Sequence, residues 1–347
     1  LFILIRIFPQ VVWAIALGCL LLLTGCTSRY QPESLLMDYV KDLSRSKYIQ
    51  LVVPDFVSPS LYPPLHQRQQ ALTKFDVSIL DFLSLQQCDV GFLVGEKNSV
   101  LGKVMPASQR FLYEINIIRA IESCHIGNVQ LAEKLNAIAK IKRQELPVAF
   151  TNAVFNGAEG KDFFSLSNGF LPLKNDLTHY QVLLASLRDI NALGANLSSL
   201  PKLEGKAFEE DLKALSDSEY AGQLIYSLAQ LSRFLSVVSE AIEDLPEGVC
   251  GPPVTFLKQQ FERHYIKIIQ PYMAKINATA YQILPLIRQA AVYGQPLPKA
   301  LDQYLSMLSL DQKEGLWGRY QRASQRHAQA WSRLFNRCDI ALSGIVR

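Results

Sequence analysis

Glu96 and Glu114 are the acidic residues best placed for paired acid and base work. The Gly102 turn folds the stretch 76–124 back on itself, and Arg110 stands four residues before Glu114, one helical turn away. Two carboxylates facing one cleft can protonate a leaving group and activate a water, as in glycan cleavage. The same residues equally describe a hydrogen-bonded corner, with Asn98 and Ser99 capping backbone groups and Arg110 neutralising a carboxylate. Glu96, Asn98, Ser99, Gln109, Arg110 and Glu114 are therefore a candidate binding surface, and no catalytic residue is assigned. His66, His125, His179, His264 and His327 are scattered without metal-pair spacing such as HExxH, so no metal is expected. GxSxG and the phosphate loop are absent, and the SxxK matches at Ser44–Lys47 and Ser199–Lys202 lack their companion elements. No cofactor is expected.

The other reactive groups are six cysteines. Cys26 directly follows an apolar block, VVWAIALGCLLLL over 11–23, preceded by Arg6 and by a Pro9-Gln10 break. Thirteen residues are too few to cross about 30 Å of hydrocarbon but suit the core of a secretory signal peptide. Leu23-Thr24-Gly25-Cys26 resembles the lipobox of bacterial lipoproteins. That resemblance implies cleavage after Gly25, a diacylglycerol on the Cys26 thiol and acylation of the new amino group. It also implies the periplasmic face of the outer membrane, because Thr27 rather than Asp follows the lipidated residue. Several acyl chains anchor stably where one holds only marginally. Residues 27–32 span at most about 20 Å, so the body must hug the membrane surface.

In an oxidising compartment Cys88, Cys124, Cys250 and Cys338 read as two disulfides. Three pairings are open. Cys88–Cys124 with Cys250–Cys338 is favoured, because each loop then closes within one half of the chain. No CxxC occurs, which argues against thioredoxin-like redox work. Without residues 1–25 the chain carries 34 basic and 31 acidic residues, a formal +3, so nucleic acid is not an expected partner. Its 49% hydrophobic content, leader included, suits a globular domain with a sizeable core.

The elements that must position these groups are helical. Tyr220, Leu224, Leu228, Leu231, Leu235, Val238, Ile242 and Leu245 step by four or three residues, and Pro246 and Gly248 stop the run. Leu316, Tyr320, Ala323, His327, Trp331, Leu334 and Cys338 repeat that pattern along a last helix over about 312–343. Further helices are expected at 33–48, 76–97, 107–124, 128–143 and from Pro252 to about 270, with Pro271 and Pro285 kinking or breaking that run. Phe256, Phe261, Tyr265 and Tyr272 read as core, and Lys140–Arg143 as a solvated helix C-terminus. The proline-rich stretch 50–68 reads as extended. The expectation is an all-α domain of about ten helices over 33–347, with lobes 33–145 and 175–347 meeting at an irregular joint, 146–174, that contains Pro147 and Pro172.

"LDFLSLQQC", "EKNSVLGKVM" and "SQRFLYE" over 78–124, downstream of the lipobox, resemble an uncharacterised family of Gram-negative lipoproteins, a domain of unknown function. The likeness continues through Phe163-Phe164-Ser165 and Gln270-Pro271-Tyr272. It implies an envelope protein with one family-wide domain, and no activity. The leading expectation is a non-enzymatic envelope factor binding a protein partner through an apolar or mixed patch rimmed by residues 95–116. The alternatives are a module for a lipid, glycan or peptidoglycan fragment and an envelope-polymer hydrolase using Glu96 or Glu114.

Overall fold

The computed structural model describes residues 31–341 apart from 75–77 and 175–176. The expected signal peptide, the cleavage site at Gly25 and Cys26, and most of the tether lie outside the described residues. Gln31 and Pro32 already belong to the first helix. Every regular element among the described residues is helical, and no described helix is long and apolar enough to cross a membrane. Apart from short turns at Leu65–Arg68, Ala158–Phe163, Leu166–Asn168 and Leu197–Ser199, these are in chain order α1 (Gln31–Leu43), α2 (Ile79–Leu85), α3 (Asp89–Asn98), α4 (Val100–Lys103), α5 (Ala107–Ser123), α6 (Val129–Asn156) and α7 (Leu177–Ala195). They continue with α8 (Gly205–Ser218), α9 (Tyr220–Glu243), α10 (Pro252–Gln260), a π-helical stretch Phe261–Ile269, α11 (Gln270–Tyr293), α12 (Lys299–Met307) and α13 (Leu316–Arg337). Disulfides join Cys88 to Cys124 and Cys250 to Cys338, the favoured pairing.

The eight-residue seam of α9 and its end at Leu245 is buried throughout and packs along α13, whose own stripe from Leu316 to Leu334 is buried as well. Around this pair a large core gathers α1, one face of α5, the C-terminal half of α6, and α7 to α13. A smaller core joins α2 and α3 to the other face of α5 and the N-terminal half of α6, with Cys88 and Cys124 packed against it. The packing therefore does not follow lobes 33–145 and 175–347, since the large core takes Tyr39, Phe111 and Phe150 from the first and Leu228 and Trp331 from the second.

Three expectations about helix ends need correction. The run 76–97 is divided at residues 86–88, where Cys88 is extended and precedes α3. The joint at 146–174 is helical to Asn156, with Pro147 inside α6, and again over Ala158–Phe163. A proline inside a helix costs about 3 kcal/mol. Each of the buried Leu146, Val148, Phe150, Val154 and Phe155 offsets about 1.5–3 kcal/mol, so burial wins. Pro271 likewise does not break the chain's helical course. The wider π turns of Phe261–Ile269 precede it and relieve the clash between its ring and the backbone one turn earlier.

The π stretch also carries the densest aromatic packing. Phe261 and Tyr265 stack together, and both rings lie on His327 of α13. His327 is fully buried, with the Tyr39 hydroxyl and the Trp331 indole N–H each 3.1 Å from its Nε2. An indole can only donate, so Nε2 is an acceptor and the ring proton sits on Nδ1. Burial pushes the pKa of this imidazole down to about 3. One turn further along the same stretch, His264 lies 2.8 Å from Asp42 and ties it to α1.

His327 makes the fold acid-sensitive. Stability linked to its neutral ring is complete above about pH 6.5, where an unfolded histidine is also neutral. It drains away as pH falls toward about 3, because the unfolded chain takes up a proton that the folded ring refuses. The expected slope approaches 1.4 kcal/mol per pH unit, about one proton. Urea unfolding at several pH values between about 7 and 4 measures it. A His327→Gln protein that keeps the full acid slope would assign the effect elsewhere.

Candidate functional site

The site begins with the way α5 meets α6. Phe111, Ile115 and Ile118 face the large core while Tyr113, Ile117 and Ile121 face the small one, leaving Glu114 on the line between them. Glu114 is 2% exposed. Its Oε1 accepts from Arg110 Nε at 2.6 Å and its Oε2 from Lys142 Nζ at 2.7 Å. Lys142, at 1% exposure, also donates to the Thr73 carbonyl at 3.3 Å. Lys140–Arg143 is therefore not a solvated helix end: α6 runs on past it, Lys142 is sealed in, and Arg143 chelates Glu122 on α5 through two nitrogens.

A chain segment with almost no helix lies across this junction. Asn152 of α6 brackets Gln70, donating to its carbonyl at 2.8 Å and accepting from its N–H at 3.2 Å. Asn156 donates to the Arg68 carbonyl at 2.8 Å, and Glu145 accepts from the Thr73 N–H. Residues 142, 145, 152 and 156 share one face of α6, so side chains satisfy a backbone that no neighbouring strand serves. The segment, α5 and the α3–α4 corner enclose a cavity of about 580 Å³ lined by His66, Gln70, Lys74, Lys97, Met105, Arg110 and Asn152.

The sequence-derived candidates divide. Ser99 caps α4, its hydroxyl accepting from the Gly102 N–H at 3.0 Å. Asn98 is exposed, and Glu96 is an exposed neighbour of the corner. Gln109 braces α5 against α8 through Glu209. Arg110 joins the cavity wall, and its guanidinium also lies 5.1 Å from the Tyr113 ring centre. Glu114 stands behind that wall with both oxygens committed to cations, so it offers no free oxygen for proton transfer. Lys97 turns back onto the Gly102 carbonyl, and burial followed by the charge of Arg110 lowers its pKa. The wall is thus net cationic. Lys142 reads as solvated in the sequence and Asn152 is not singled out; the available signal was Asn152 and Asn156 within the apolar run after Leu146, because buried polar groups require partners.

The α2–α4 layer also presents apolar side chains to solvent. Among the described residues, five of the fifteen exposed large hydrophobic residues fall between positions 83 and 104: Leu83, Phe92, Val100, Leu101 and Val104. Val100 and Leu101 are 82% and 81% exposed. The corner that displays them is tight, since a Cβ on Gly102 would stand 2.2 Å from the Glu96 carbonyl oxygen.

A family model described as "Protein of unknown function (DUF3080)" matches residues 36–342, nearly the whole chain. No curated protein and no solved structure matches.

The Glu114 cluster can be tested by unbalancing it. Glu114→Gln leaves Lys142 buried without a counter-charge, a change expected to cost about 3–5 kcal/mol. Glu114→Leu combined with Lys142→Met removes both charges and should recover most of that loss. Chemical denaturation of the three proteins decides; a Glu114→Gln protein as stable as the wild type would show that the pair does not hold this junction.

Proposed function

The chain belongs to the DUF3080 family of proteins of unknown function, and we propose that it is a lipid-anchored periplasmic envelope factor that docks a protein partner on its α2–α4 layer. The observation that carries this reading is the cluster of Phe92, Val100, Leu101 and Val104, apolar and solvent-facing on a rigid corner. Isolated exposed apolar residues are ordinary, whereas a local concentration of them marks an interaction surface. Val100, Leu101 and Val104 fall in the region 95–116 that the sequence singles out, with Phe92 just before it, and the cationic cavity at Arg110 borders them through Lys97 and Met105. A partner presenting an apolar side chain beside a carboxylate fits both features.

The two disulfides suit an oxidising compartment. Lipidation at Cys26 and outer-membrane residence rest on the resemblance of residues 23–26 to a lipobox. The ligand-module alternative draws support from the polar cavity of about 580 Å³, within the size range of small-molecule sites. A hydrolase acting through Glu114 is disfavoured by the two cations that occupy its oxygens.

Crosslinking in intact cells tests the docking surface. An envelope protein should be recovered reproducibly with the wild type and lost from a folded Leu101→Asp, Val104→Asp variant; equal recovery from both would rule this surface out. Cys26→Ser should move the protein from the membrane fraction to the soluble periplasm. Retention of that variant in membranes would refute the anchor.

A further inference from the structure

On the other side of the 61–74 segment from the Arg110 cavity lies a buried charge without a counter-charge. Arg68 is 4% exposed. Its Nε donates to the Pro63 carbonyl at 3.0 Å, and its Nη1 donates to the Phe155 carbonyl and to Asn156 Oδ1. The Tyr62 ring lies under the guanidinium, 4.7 Å from it, and the Tyr62 hydroxyl shares the Phe155 carbonyl. Every one of these groups is neutral. No carboxylate among the described residues forms an ion pair with Arg68, although buried arginines are nearly always paired. Five N–H groups belong to a guanidinium. Those on Nη2 make no hydrogen bond among the described residues.

Arg68 forms part of the wall of a cavity of about 560 Å³. Lys161 adds a second cation to this wall and has no ion-pair partner among the described residues. Glu159 lies against Gly157 on the same side and pairs with neither cation. The rest of the lining is largely apolar. Leu61 and Leu65 stand at 72% and 45% exposure, and Phe164 is stacked on Tyr62 at 4.7 Å. A cation at one end of an apolar cleft with exposed leucines suits an anion joined to a hydrocarbon, whose head meets the charge while its chain covers the apolar wall.

We propose that this cavity binds the acidic head of an amphiphile, a carboxylate or phosphate on an apolar chain, with Arg68 and Lys161 on the anion and Leu61, Leu65 and Phe164 along the chain. The site is separate from the α2–α4 docking surface and does not depend on it. Isothermal titration of the full chain with decanoate and with decyl phosphate tests it, against decanol and inorganic phosphate as controls. At least one decyl anion should bind one to one below its micelle concentration, at least tenfold more tightly than either control. Which of the two binds better tells a fatty-acid head from a phosphate head.

Lys161→Met and Leu61→Asp alter exposed positions and should leave the thermal midpoint unchanged while weakening binding at least threefold and tenfold. Arg68→Gln should abolish binding if it folds; the other two variants decide the matter if it does not. Failure of both decyl anions to saturate would overturn the proposal. So would decanol or inorganic phosphate binding as tightly as the decyl anions, or wild-type affinity in both rim variants.

Discussion

The Glu114–Lys142 pair sits where two hydrophobic cores meet, and the register of α5 on α6 depends on it. On α6, Leu131, Leu135 and Ala139 belong to the small core, and Leu146, Ala149 and Phe150 to the large one. Lys142 is the residue between. On α5, Glu114 divides two interleaved faces in the same way. A charge pair at this seam adds little net stability, because removing both ions from water costs about as much as their attraction returns. Its effect is on specificity. Any slide of α5 along α6 strands two buried charges, whereas a purely apolar seam would tolerate alternative packings. The Cys88–Cys124 bond closes the small core from its far side, so the thin α2–α4 layer is held at both edges.

Much of this architecture is legible in the amino-acid sequence. Helix periodicity locates α9 and α13 and the residues they bury, since long amphipathic repeats depend on local spacing alone. The cysteine pairing is legible because each bond closes a loop within one half of the chain. The proline-rich stretch 50–68 is extended up to its last turn of helix, Leu65–Arg68, as backbone geometry requires.

The misreadings have one physical cause. Pro147, Pro271 and Lys140–Arg143 look like helix ends because proline lacks a donor and cationic residues favour C-termini. Tertiary burial overrides each of them. Phe150 and Phe155 carry α6 on past Pro147, π turns take up Pro271, and Glu114, 28 residues earlier on α5, makes Lys142 an interior residue. The roles of the candidate residues were not legible. Ser99 and Gln109 prove to be structural braces, and the exposed display of Val100 and Leu101 follows from Gly102 allowing α4 to close against α3.

The segment 61–74 gives the molecule its remaining logic. It contributes Leu61, Tyr62 and Arg68 to one cavity and His66, Gln70 and Lys74 to the other, and Asn152 and Asn156 hold its backbone between them. Asn156 bonds the Arg68 carbonyl with one atom and, with another, accepts from the Arg68 guanidinium. The same Asn156 amide donates to Asn152 at 2.7 Å, and Asn152 brackets Gln70 in the wall of the cationic cavity. Arg68 and the wall of the cationic cavity are therefore joined by a chain of hydrogen bonds two asparagines long. In a polar network each bond polarises and orients the next. An anion that fixed the Arg68 guanidinium would fix the wall at Gln70 by the same bonds, and the proposed ligand and the proposed partner would then act on one segment.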